Sequence, residues 1–222
     1  MTKAARAGTA VACGLLLLVA VLSANASRRK RQTSGEFDYY MLVLSYAPDF
    51  CVQPTGDKDV RECGRGRGVG FVVHGLWPQG ESTRGPESCG SARPVSQALV
   101  QLMLHYFPTE SLIQHEWAQH GTCSGLPADQ YFAQVRKARD FLSLPPELNQ
   151  PAQSTQMGTA ELESKLASAN PGFPRGAFRT SCYQDGELRE VRVCLNKDLS
   201  PRACGSSAGE CRMNRVTILP VR

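Results

Sequence analysis

Three of the four histidines in this 222-residue chain fall in two short stretches, Phe71-Val-Val-His74-Gly-Leu-Trp77-Pro78 and His115-Glu116-Trp117-Ala-Gln119-His120-Gly-Thr-Cys123. The second stretch also sets a carboxylate, Glu116, beside a histidine. Imidazole is the side chain that titrates near neutral pH without help from its surroundings, so histidines grouped with a carboxylate are equipment for general acid–base chemistry. Each residue alone has a plainer reading. A histidine ending a strand is more often hydrogen-bonded in place than catalytic, and a histidine near a helix C-terminus is favoured by the helix dipole. Their joint occurrence argues for a site built from His74, His115, Glu116 and His120. His105 lies in a segment with no such partners and reads as structural.

Placed on a helix at about 100° per residue, His115, Glu116, Gln119 and His120 fall within an arc of roughly 140°. Glu116 and His120 are four apart and can touch. Trp117 and Ala118 then point the other way, with Trp117 in the core. The competing motif, the His-Glu-x-x-His helix of zinc proteases, needs histidines four apart, whereas His115 and His120 are five apart. No metal and no cofactor are expected.

These residues need elements to hold them. Phe37 to Ala47, rich in aromatic and branched residues, reads as a strand ended by Pro48. The glycine-rich stretch from Gly56 to Gly70 reads as an irregular loop tied by Cys51 and Cys63. Val69 to His74 is a second apolar run, so His74 is expected where a strand ends and Gly75 turns the chain. Gly80 to Ser91 is loop. From Pro94 the apolar residues Val95, Ala98, Leu99, Leu102, Met103 and Tyr106 have helical spacing, stopped by Pro108. Ser111 to His120 is a second helix, with Gly121 as its C-terminal cap. Pro127 to Leu142 is a third, and Thr159 to Ala169 a further one after an irregular polar stretch. Asp185-Gly186 signals a hairpin turn. Beyond it Val191, Val193 and Leu195 alternate with Arg192, Cys194 and Asn196, a strand with one solvated or site-facing side. Val216 to Val221 is a last strand. Strands and helices do not alternate regularly, which favours an α+β fold with an antiparallel sheet, in a single domain over 37–222.

Composition bounds the setting. Lys3 and Arg6, the apolar run around Leu15 to Leu18 and Ala24-Asn-Ala26 have the layout of a signal peptide over 1–26, followed by a basic, flexible segment over 27–36. Arg28-Arg29-Lys30-Arg31 leaves an uncleaved anchor as the competing reading, because positive charge favours the non-exported side. Of nine cysteines, Cys13 departs with the signal and eight remain, an even number that reads as four disulfides in a secreted or periplasmic protein. No Cys-x-x-Cys pair occurs, which argues against structural zinc. The formal charge of +5 falls to +3 without Lys3 and Arg6, and to −1 once the four cations at 28–31 are set aside. A domain near neutrality does not hold nucleic acid by bulk attraction, so any recognition must be local.

At these residues the chain resembles the ribonuclease T2 family. The resemblance covers most of the mature chain. It rests on the two histidine motifs, on Leu44-Ser-Tyr-Ala-Pro48, and on Glu190-Val-Arg-Val-Cys194-Leu-x-Lys-Asp198. It implies an α+β endoribonuclease that needs no metal and cleaves single-stranded RNA through a 2′,3′-cyclic phosphate. His120 would be the base and His74 the acid, His115 would hold phosphate, and Glu116 would position or polarise the reacting group. Trp77 would serve a base site, where a stacking platform suits unpaired bases. Many members carry lysine where this chain has Gln119, and often an acidic residue where it has Gln79. Gln119 offers a hydrogen bond to substrate but no charge, so the alternative is a T2-like RNA- or protein-binding domain with weak or no catalysis. The family also implies the pairs Cys51–Cys63, Cys89–Cys123, Cys182–Cys211 and Cys194–Cys204. A monomer without stable DNA binding, and without a membrane span once the signal is removed, is expected.

Overall fold

Strict alternation along one strand organises the molecule. In β1 (Tyr39–Tyr46) the residues Tyr40, Leu42, Leu44 and Tyr46 enter the main core, while Tyr39, Met41 and Val43 belong to a smaller cluster. The structure, a computed structural model, describes residues 34–54 and 58–221. The signal peptide expected over 1–26 and residues 27–33 of the basic segment lie outside the described residues. The end of that segment is held rather than free: Ser34 Oγ donates to the Thr122 carbonyl at 2.7 Å and Gly35 N–H to the Cys123 carbonyl at 2.8 Å.

β1 pairs antiparallel with β2 (Phe71–Gln79) on one side. Other strands are β3 (Thr155–Gly158), β4 (Phe178–Cys182), β5 (Leu188–Leu195) and β6 (Arg215–Ile218). The main sheet has the order β2-β1-β5-β4, and β3 pairs with β6 in a separate two-stranded sheet. All named pairings are antiparallel. Two short helices follow β1, α1 (Ala47–Val52) and α2 (Val60–Cys63), the second inside the stretch expected to be loop. Asp59 explains it, since its side chain accepts from the Arg61 N–H and caps the turn.

The main core is closed by α3 (Gln97–Met103), α4 (Glu110–Gln119), α5 (Ala128–Asp140) and α7 (Thr159–Ala169), with a short α6 (Pro146–Asn149) between the last two. These helices bury Val100, Met103, Ile113, Phe132, Val135, Leu162 and Leu166 against the strands, an apolar transfer that drives the assembly. Tyr131 of α5 is also fully buried and donates its hydroxyl to the Leu76 carbonyl of β2 at 3.0 Å. Helix starts follow their caps. Ser96 accepts from Leu99 N–H and Thr109 from Leu112 N–H, so α3 starts later than Pro94 and α4 one residue before Ser111. The architecture is α+β, with an antiparallel sheet packed by helices and stapled by Cys51–Cys63, Cys89–Cys123, Cys182–Cys211 and Cys194–Cys204.

Two local expectations are corrected. His74 does not end a strand, because β2 runs through it and Gly75 to Gln79. Gly121 is not a left-handed cap: a Cβ there would strike the Trp117 ring, so the glycine is required by space. Of the two alternatives for the Arg192–Cys194 side of β5, the site-facing one fits: Cys194 is fully buried in its bridge to Cys204, and Glu190 on the same side lines a cleft.

Candidate active site

The second face of the sheet changes character along its length. Met41 lies opposite Cys194 and Val43 opposite Arg192, and the next same-face pair is Ser45 opposite Glu190. Apolar surface therefore gives way to polar surface at the β1 C-terminal end. There the β1–β2 register slips. Val43 pairs with Gly75 and Leu44 with Val73, leaving His74 as the extra residue of a bulge. A bulge re-aims a side chain without ending the strand, and this one sends His74 into a cleft of about 650 Å³ shared with His115 and Glu190.

Helix α4 supplies the opposing wall. Glu116 is 1 % exposed, and its Oε2 accepts from Trp77 Nε1 at 2.7 Å. Its Oε1 lies 3.6 Å from His74 Nε2 and has no hydrogen-bond partner. A Cβ at position 75 would collide with Glu116 Oε2 and Trp77 Nε1, so Gly75 permits this approach. Trp77 stacks on His120 with centroids 4.8 Å apart and meets His74 edge-on at 5.2 Å. Glu116 and His120 share a backbone bond, and the Trp77 indole bridges their side chains. His120 Nδ1 is buried without a partner. Two unpaired buried polar atoms in one site are exceptions to the usual satisfaction of such groups.

The structure thus gathers His74, Glu116, Trp77 and His120 into one connected group. His115 stands on the cleft lining, exposed, and Gln119 turns aside. The Gln119 amide oxygen accepts from Ser88 Oγ at 2.8 Å, while Ser88 N–H donates to the Gln119 carbonyl at 2.7 Å. Ser88 has φ +54° and precedes Cys89, whose bridge to Cys123 ties this loop to the end of α4. Trp117 packs against the core and donates to the Arg93 carbonyl at 3.1 Å. His105 is exposed and meets the Tyr106 ring edge-on.

Charge is distributed unevenly. Burial lowers the His74 pKa, but the hydrogen bond to Glu190 and the nearby Glu116 and Glu190 charges outweigh it and leave the imidazole above its ordinary value. Burial pushes His120 down to about 4, helped by the His74 and His115 charges. Burial lifts Glu116 to about 7 despite His74 and the Trp77 N–H. Burial also opposes ionisation of Glu190, yet His74 and the Arg192 and Arg189 charges bring it down to about 2. The arrangement thus favours the charged form at His74 and the neutral form at His120, opposed states of the kind that acid–base catalysis uses. Among the described residues no group of three or more His, Cys, Asp or Glu side chains is placed to hold a metal ion.

Ser45, Glu190 and Arg192 were not assigned to the site from sequence. Their signal was available: a lone serine in an aromatic and aliphatic strand, and a carboxylate two residues before a guanidinium, hence on one face of β5.

Fold and site together define a disulfide-stapled α+β protein with a histidine–carboxylate cleft. The model of the ribonuclease T2 family matches residues 37–204, and the chain belongs to that family. It is a T2-type ribonuclease. The chain is 36% identical over 173 residues to a ribonuclease of Aeromonas hydrophila, covering 74% of each protein. It is 33% identical over 181 residues to a probable ribonuclease of Haemophilus influenzae, covering 76% of this chain and 61% of the relative. Among solved structures, trichomaglin, described as a novel S-like ribonuclease, superimposes with a TM-score of 0.64. That match covers 84% of this chain and 100% of the other at 19% identity, a likeness of fold.

Proposed function

We propose that the protein is an endoribonuclease that cleaves single-stranded RNA by transesterification, with His120 as general base and His74 as general acid. The observation that carries this reading is the opposed environment of the two imidazoles around Trp77. RNA brings its own nucleophile. His120 takes the 2′-hydroxyl proton as that oxygen attacks phosphorus, and the P–O5′ bond breaks as His74 protonates the departing oxygen. The product is a 2′,3′-cyclic phosphate. Water then opens it to a 3′-phosphate with the two roles exchanged.

Glu116, lifted towards neutrality and with one oxygen free of hydrogen bonds, can donate to a phosphate oxygen when protonated and so position or polarise the reacting group. His115 on the cleft lining meets phosphate charge. Gln119, oriented through Ser88, offers its amide N–H to the same group but no charge. In this resting arrangement Trp77 braces Glu116 and His120. Its base-site role requires an accessible part of the indole.

Residues 37–222 form the catalytic domain in this reading, preceded by a signal peptide that sends it out of the cytoplasm. The four disulfides support a secreted or periplasmic setting, since such bridges persist in oxidising compartments. Among the described residues no helix is long and apolar enough to cross a membrane. The test is digestion of RNA by the disulfide-bonded protein with EDTA present. Cyclic phosphate ends should appear before 3′-monophosphates, and DNA should stay intact. Cleavage of DNA at a comparable rate would rule the mechanism out.

A further inference from the structure

A row of polar side chains crosses the sheet at the level of the cleft. His74 of β2 reaches Ser45 of β1, Nδ1 to Oγ, at 3.2 Å. Ser45 lies opposite Glu190 of β5, and Glu190 opposite Ser181 of β4. Glu190 is 1 % exposed and places Oε1 3.3 Å from His74 Nδ1. Its other oxygen accepts from Arg192 Nε at 3.0 Å and Nη2 at 2.8 Å. Arg192 is itself anchored, since its Nη1 donates to the Ala208 carbonyl at 2.6 Å. The 3₁₀ turn Ser206–Ala208, close to the disulfide-held Cys204 and Cys211, therefore fixes the guanidinium, which fixes the carboxylate.

We propose that Glu190, clamped by Arg192, is the positioning residue of His74: it accepts the hydrogen bond from Nδ1–H while staying ionised, holds the ring in one orientation, and leaves Nε2 as the nitrogen that donates to the departing oxygen. The proposal rests on the reading of His74 as general acid. A carboxylate behind an imidazole sets which nitrogen carries the transferable proton. The groups facing His74 are Glu190 and Arg189 from β5, Ser45 from β1 and Glu116 from α4, with His120 beyond Trp77. Both carboxylates face His74, but Glu190 also has two arginine partners, whereas Glu116 has a neutral indole N–H and one oxygen without a hydrogen bond. Glu190 is therefore the lasting counter-charge, and Glu116 is free to change protonation during turnover.

Glu190→Gln tests this, because the amide keeps the size and one hydrogen bond but removes the charge. An opposite charge at this range shifts an imidazole by about 1–3 pH units, so the His74 pKa measured by NMR should fall by at least about one unit. The alkaline limb of the kcat/KM profile should move to lower pH by a similar amount. A misplaced acid should also cost roughly tenfold to a hundredfold in kcat, with KM for a dinucleotide little changed. Arg192→Lys, which keeps the charge but loosens the grip, should give a smaller shift in the same direction, and decides the matter if Glu190→Gln does not fold. An unmoved His74 pKa in a folded variant overturns the proposal, whatever happens to the rate. A His74 pKa that falls while the alkaline limb stays put would support the Glu190–His74 contact and instead remove His74 from the acid role.

Discussion

His74 and His120 both touch the Trp77 ring, yet the molecule treats them differently. His74 stands on a sheet bulge among carboxylates, Glu190 behind it and Glu116 beside it. His120 ends α4 against the indole face, with further imidazoles as the charges that bear on it. One ring is surrounded by groups that stabilise a cation and the other by groups that expel one. In the proposed mechanism two copies of the same side chain serve as acid and base because their burial and neighbouring charges differ.

The strongest challenge to that contrast is removal of either ring. His74→Ala and His120→Ala should each lower kcat by about 10²–10⁴, the usual contribution of a general acid or base, while near-ultraviolet circular dichroism stays native. A variant that lost less than tenfold would take that histidine out of the mechanism.

The pH profile probes the contrast without deleting anything. The proposed mechanism requires His120 neutral and His74 protonated. It should therefore fall as pH drops through about 4, where His120 gains a proton. It should fall again as pH rises through the His74 value, which lies above the ordinary one. Glu116, at about 7, titrates within the same range. A kcat/KM profile of Glu116→Gln separates the two, since an alkaline limb that persists belongs to His74.

Gln119→Lys sharpens the comparison by adding charge on the His120 side. Preorganised electrostatic contacts are worth roughly 10²–10³ when removed, and restoring one where the Gln119 amide N–H can already serve the phosphate should yield about tenfold, mainly in kcat. The new lysine must give up the Ser88 bond, so an unchanged kcat in a well-folded variant would show that the Ser88–Gln119 contact matters more than charge. The smallest effect is expected at His105. It is exposed and touches Tyr106, and His105→Ala should leave kcat/KM within about twofold, because exposed positions away from a site contribute little.

Much of the scaffold was legible along the chain. Thr159–Ala169 is the helix that its spacing predicts, and Tyr39–Tyr46 and Leu188–Leu195 lie where alternating and branched residues place strands. Such elements are legible because a single period repeats over eight residues or more. The bulge at His74 was not, because a bulge is a mismatch between two strands and exists only once β1 and β2 are in register. Gly121 shows the same limit, since a glycine after a helix suggests a cap while its actual reason is the Trp117 ring beside it.

By itself the sequence determined the inventory: three histidines and a carboxylate in two motifs, eight cysteines for four bridges, and patterns for an antiparallel sheet with helices. Those are properties of residue type and spacing, which a linear chain displays in full. Only the tertiary structure decided that Glu190 stands behind His74, that Arg192 clamps Glu190, that Trp77 joins Glu116 to His120, and that Gln119 is held by Ser88. Protonation follows from burial and neighbouring charge, and neither exists until strands far apart in sequence lie side by side.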